Sequence, residues 1–124
     1  MTRSLDGLTF APIADQAPGQ VGLQTLFEYH EADGRIWAEY AGGDVVRGHL
    51  VGTRAGDTID FRYVQLRPDG TTASGHCVSL ITELPDGRLR MEETWTWESR
   101  PGSGTSTVEQ PRPGDRRGPG RDGS

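Results

Sequence analysis

Side chains along most of this chain alternate between apolar and polar, the period of an extended strand whose successive residues face opposite ways. In TIDFRYVQ the alternation puts Ile59, Phe61, Tyr63 and Gln65 on one face and Asp60 and Arg62 on the other. LFEYHE separates Phe27 and Tyr29 from Glu28 and His30, and RIWAEYA separates Ile36, Ala38 and Tyr40 from Arg35, Trp37 and Glu39. In RMEETWTW, the residues Met91, Glu93, Trp95 and Trp97 share a face against Glu92, Thr94 and Thr96. VVRGHLVG sends Val46, Gly48, Leu50 and Gly52 one way, and Val45, Arg47, His49 and Val51 the other. TTASGHCVSLI is divided by size, with Ala73, Gly75, Cys77, Ser79 and Ile81 inward and His76 outward. No segment sustains a helical period.

Turn signals punctuate these segments: EADG at 31–34, AGGD at 41–44, RAGD at 54–57, RPDG at 67–70, LPDG at 84–87 and RPGSG at 100–104. Asp-Gly, Gly-Gly and Pro-Asp-Gly supply the backbone angles that tight reversals require. The predicted strands span 8–13, 22–31, 34–41, 44–53, 58–66, 71–83, 88–99 and 104–109. Short loops between consecutive strands make a meander, and a flat meander exposes two edges that pair with other chains. Closure removes both. The expected fold is therefore all-β, an antiparallel up-and-down barrel of about eight strands. Small residues on two strands would face aromatics on the others across a narrow lumen. Gly48 and Gly52, both inward, mark either a bend with close backbone approach or room for a ligand.

Composition sets the limits of the domain. Residues 1–109 are expected to form a single β-barrel domain. Residues 110–124, QPRPGDRRGPGRDGS, contain no aliphatic or aromatic side chain, so a disordered tail rich in Pro, Gly and Arg is expected there. The formal charge is −5, and the tail carries four arginines against two aspartates, leaving about −7 on the barrel. That balance argues against partners held by charge, whether nucleic acid or an anionic membrane surface. MTRSLDGLTF has no apolar targeting core and no run approaches membrane-spanning length, so a cytoplasmic location is expected. All thirteen basic residues are arginine, a skew expected of a GC-rich bacterial coding sequence. The lack of lysine excludes Schiff-base chemistry on lysine and a P-loop lysine.

Few side chains carry obvious chemistry. His30, His49 and His76 fall on outward positions of separate strands, so they do not converge as zinc ligands must; no metal and no cofactor is expected. Cys77, the sole cysteine, points away from its neighbour His76 and reads as an inert buried thiol. Ser79 has no inward histidine to act as its base. Glu93 is the anomaly, a carboxylate in line with two tryptophans. Such a group must be paired, protonated, or placed at a wet cavity mouth. A hydrogen bond to Tyr29, Tyr40 or Tyr63 would make it structural. A free position in a pocket would make it a ligand-orienting group or a general acid/base, and a local bulge would turn it outward.

Trp37-Ala38 with Gly42-Gly43, Gly48-x-Leu50-x-Gly52 and the Trp95-x-Trp97 strand lie within residues 21–110. Together they resemble a family of small bacterial proteins, sometimes labelled N-acetylglutamate synthase and related to the avidin-like barrels. The resemblance implies an avidin/lipocalin-like antiparallel barrel with a closed interior. Acetyl transfer is not expected, because its common fold needs a helix N-terminus and a glycine-rich loop for the pyrophosphate, and neither is readable. The expected function is binding of a small hydrophobic or aromatic molecule in the lumen. Tyr29, Tyr40, Phe61, Tyr63, Trp95 and Trp97 would form the walls, with Gln65, Ser79 and Glu93 orienting polar atoms. Ser106 is a further polar group on that face. The alternatives are a cofactor-free cyclase or isomerase relying on Glu93, and a filled barrel acting as a homo-oligomer through Trp37 on its outer surface.

Overall fold

The computed structural model describes residues 3–13 and 25–112. Eight strands follow one another around a closed barrel: β1 (Thr9–Pro12), β2 (Leu26–Ala32), β3 (Arg35–Gly42), β4 (Val45–Ala55), β5 (Thr58–Leu66), β6 (Thr72–Glu83), β7 (Leu89–Trp97) and β8 (Ser103–Glu109). Every neighbouring pair is antiparallel, and β1 closes the ring on β8 through Ala11↔Glu109 and Pro12↔Val108. The all-β up-and-down barrel expected from the alternation is the observed fold. The predicted start of the second strand at 22 and the predicted disorder of 113–124 fall outside the described residues. Gln110, assigned to the tail, donates its backbone N–H to the Leu89 carbonyl, and its side-chain oxygen accepts from the Leu89 N–H.

Local chemistry explains the reversals. Asp33 and Gly34 both have positive φ, 53° and 75°, the primed turn whose twist matches the strands it joins. Parity explains the inside, with one correction. Val46 was expected inward and Val45 outward; Val45 is instead 2 % exposed and Val46 50 %. The register gives the reason: Tyr40 pairs with Gly48 but Gly42 pairs with Val45, so β4 carries one residue more than β3 here. That bulge inverts the alternation for a single step.

The two ends of the barrel differ. At one end Leu5, Phe10, Ile36, Ile59, Leu89 and Met91 are all at most 1 % exposed. The chain before β1 folds across this end. Gly7 N–H donates to the Tyr29 carbonyl, Tyr29 N–H to the Leu8 carbonyl, and Leu5 N–H to Glu31, each at 2.9 Å. Arg54 fastens the segment by donating to the Arg3 carbonyl and the Glu31 carboxylate, both at 2.7 Å. Burying Leu5 outright contributes roughly 1.5–3 kcal/mol, so this cover stabilises the barrel as well as sealing it. The turns after β3, β5 and β7 lie at the opposite end, where Val45, Gln65 and Ala73 are at most 2 % exposed but Trp97 is part-buried.

Candidate functional site

Inward-facing residues of the sealed half are buried, whereas Tyr63 on β5, Glu93, Trp95 and Trp97 on β7, and Ser106 on β8 are only part-buried. These part-buried positions flank β6, whose inward Ala73, Cys77 and Ser79 are buried. The rings are inclined to one another. Tyr63 and Trp97 meet at 63° with centroids 5.8 Å apart, and Trp95 and Trp97 at 61° and 5.7 Å. At the rim, the Arg100 guanidinium carbon lies 5.0 Å from the Trp97 ring centroid.

Glycines make this arrangement possible. Tyr40 pairs with Gly48, Tyr63 with Gly75, and Trp95 with Gly104, each aromatic lying opposite a glycine on the next strand. A Cβ on Gly104 would stand 2.6 Å from Trp95, and one on Gly48 would overlap the Tyr40 ring. The rings thus lie down on bare backbone instead of standing into the lumen. Of the two readings of Gly48 and Gly52, close approach is the observed one: Tyr40 and Phe61 occupy the space beside them.

Glu93 is held by Ser106, whose hydroxyl donates to Oε1 at 2.7 Å across the β7–β8 pair. A tyrosine partner, one of the expectations from sequence, is not found. Burial pushes the Glu93 carboxyl from 4.5 to about 7, and the Ser106 hydrogen bond opposes that rise. Its charge is felt by Tyr29, Tyr40, Tyr63 and Cys77, each held well above its ordinary value chiefly by burial. One carboxyl thus lies within electrostatic reach of four neutral weak acids. Tyr40 donates to Gln65 Oε1 at 2.8 Å. Cys77 Sγ and Ser79 Oγ lie 3.5 Å apart. The Tyr29 hydroxyl, in a side chain 1 % exposed, has no hydrogen-bond partner among the described residues.

A profile of the avidin-like protein family matches residues 3–111. The chain belongs to that family. No curated protein and no solved structure matches it significantly.

Within this avidin-like barrel the sequence-predicted site residues separate into two groups. Tyr63, Glu93, Trp95 and Trp97 are part-buried, while Tyr29, Tyr40, Phe61, Gln65 and Ser79 are buried, Ser79 directly opposite Glu93 on β6. Sequence reasoning missed Ser106 as the partner of Glu93, and Arg100 as a neighbour of Trp97. The inward parity of Ser106 was legible; the register that sets it opposite Glu93 was not. The histidines face outward as expected, His30 bonded to Glu39 at 2.8 Å and His76 to Asp60 at 2.6 Å. Trp37 is also outside, 38 % exposed and stacked on His30.

A separate concavity of about 510 Å³ lies on the outside near the sealed end, lined in part by Leu84, Arg88, Arg90 and Arg112. Arg88 and Arg90 are both engaged by the Glu109 carboxylate there. That pairing leaves the groove less charge for a ligand than its arginines suggest.

Proposed function

We propose that this avidin-like barrel binds a small, partly aromatic molecule against the part-buried side of its lumen. The observation that carries this reading is the part-exposed inward wall of Tyr63, Trp95 and Trp97 with Glu93 beside it. Binding pockets combine such aromatic walls with a few placed polar groups. Ser79 pairs with Glu93 across β6 and β7, and Ser106 and the Tyr29 hydroxyl supply further polar atoms. Trp37 lies outside, so a Trp37→Phe protein reports on Trp95 and Trp97 alone. Titrating its fluorescence with a library of small aromatic and heterocyclic compounds should give saturable changes that Trp95→Ala abolishes. Saturable signals that survive Trp95→Ala, or none across the library, would overturn the proposal.

One observation favours a second reading, a cofactor-free isomerase or cyclase. A carboxyl titrating near 7 has both protonation states available at neutral pH, as a general acid/base requires. The tyrosines and the thiol around it stay protonated, so Glu93 would have to act without a second base. Turnover of a bound library compound, lost in Glu93→Gln, would support this reading; unchanged turnover in that variant would end it.

A further inference from the structure

We propose that the part-buried side of the lumen on β5 and β7 is a cage for a small organic cation, its charged nitrogen held between the Glu93 carboxylate and the rings of Tyr63, Trp95 and Trp97. The inference rests on the reading that this space binds a small molecule, and adds the charge class of the ligand.

Charge gives the first argument. Glu93 faces the lumen with Ser106 as its hydrogen-bond partner, and a carboxylate has about four acceptor sites. Among the described residues the ion pairs of Arg54, Arg62, Arg88 and Arg90 are made with other carboxylates. Arg54, the arginine with inward parity, sits at the sealed end and binds Glu31 at 2.7 Å. Arg62 is engaged outside by Glu98 at 3.2 Å. A desolvated carboxylate without a counter-charge is unfavourable, and a cationic ligand supplies the missing partner.

Ring geometry gives the second. A flat neutral ligand is best held between parallel rings, but Trp97 meets Tyr63 at 63° and Trp95 at 61°. Trp97 is thus inclined to the ring on either side of it, a geometry that suits a rounded head better than a flat one. Aromatic cages for ammonium groups work in this way, because each ring face is electronegative. Trp97 already accepts one cation, with the Arg100 guanidinium carbon 5.0 Å from its centroid. The third argument is the Tyr29 hydroxyl, buried, neutral and unpartnered, in electrostatic reach of Glu93. A hydroxyl can accept an ammonium N–H. An anionic ligand would instead meet the charge of Glu93, which acts on Tyr63.

The groups facing Glu93 are Tyr29 on β2, Tyr40 on β3, Tyr63 on β5, Cys77 on β6 and Ser106 on β8. The tyrosines and the thiol stay protonated through neutral pH, so Glu93 is the group among them that titrates there. Cation binding requires it ionised. With a titration near 7, a permanently charged ligand should bind about 30-fold more weakly at pH 5.5 than at pH 8.5.

The test measures benzyltrimethylammonium, benzyl alcohol and benzoate against the full chain by calorimetry and tryptophan fluorescence. At pH 8.5 the cation should bind at least tenfold more tightly than either other probe. Glu93→Gln should remove most of that advantage and its pH dependence while leaving benzyl alcohol within about threefold. Ser106→Ala should move the pH midpoint of cation binding upward, since it deletes the hydrogen bond that favours the ionised form. Equal or tighter binding of benzyl alcohol or benzoate, or unchanged cation binding in Glu93→Gln, would overturn the cation inference and leave the pocket reading standing. No binding of any probe at millimolar concentration would overturn the cation inference. The pocket reading would then stand or fall on the library titration with Trp95→Ala.

Discussion

Replacing Glu93 with glutamine should stabilise the barrel at pH 8 and leave its stability nearly unchanged at pH 4. In the folded protein burial lifts this carboxyl from its ordinary 4.5 to about 7. Between those values the unfolded chain has released a proton that the folded chain still holds. The wild-type protein is therefore free of the penalty below pH 4.5 and loses stability as pH rises from 4.5 to 7, after which the loss is constant. At about 1.36 kcal/mol per pH unit, the ceiling is about 3.4 kcal/mol. Glu93 is part-exposed on the lumen wall, and solvent screening reduces this to roughly 1–3 kcal/mol. Glutamine carries no charge to desolvate and can still accept from Ser106. Urea unfolding of both proteins at pH 5, 6, 7 and 8, followed by fluorescence, gives the difference in stability at each pH. Taking that difference cancels every titration common to the two proteins. The gap should widen from pH 5 to pH 7 and then level. A gap independent of pH, or one that narrows as pH rises, would refute the assignment of a buried carboxyl titrating near neutrality.

Three further outcomes follow from the packing. Gly48→Ala drives a methyl into the Tyr40 ring, which is stacked on Phe27 at 4.6 Å and bonded to Gln65 at 2.8 Å. Overpacking plus the strained hydrogen bond should cost roughly 2–4 kcal/mol in chemical denaturation, and a loss under about 0.5 kcal/mol would show that the ring moves aside freely. Tyr29→Phe removes a buried hydroxyl without a partner; stability should be unchanged or up to about 1 kcal/mol higher, and a loss above that would reveal a hydrogen bond. Cys77 is buried with its thiol pushed well above the ordinary value, first by burial and then by Glu93. It should resist a disulfide reagent at pH 8 until urea unfolds the barrel, and native labelling as fast as unfolded labelling would contradict that.

Strand number, order and inner face were legible in the residues themselves. Ile59, Phe61 and Gln65 are buried because a strand's two-residue period is set by local backbone sterics. Asp33-Gly34 makes its turn because few residues adopt positive φ. A bulge escaped this reasoning: parity has no memory of one inserted residue, so Val45 and Val46 were exchanged. The cover over the sealed end escaped too, since Leu5 and Leu8 stand in an irregular segment with no period to read.

Apart from Val45 and Val46, the sequence by itself determined which side chains face the lumen, and so that Glu93 shares a wall with two tryptophans. Tertiary structure decided what each of them meets there. Met91 and Trp97 have the same parity, yet Met91 is fully buried between Ile81 and Val108 and Trp97, at the other end of β7, is part-buried. Ser106 rather than a tyrosine bonds Glu93 because the β7–β8 register places them opposite one another. Side-chain direction is a local property of extended backbone. Depth along the barrel and choice of partner come from hydrogen-bond register between strands, which is fixed only when the sheet closes.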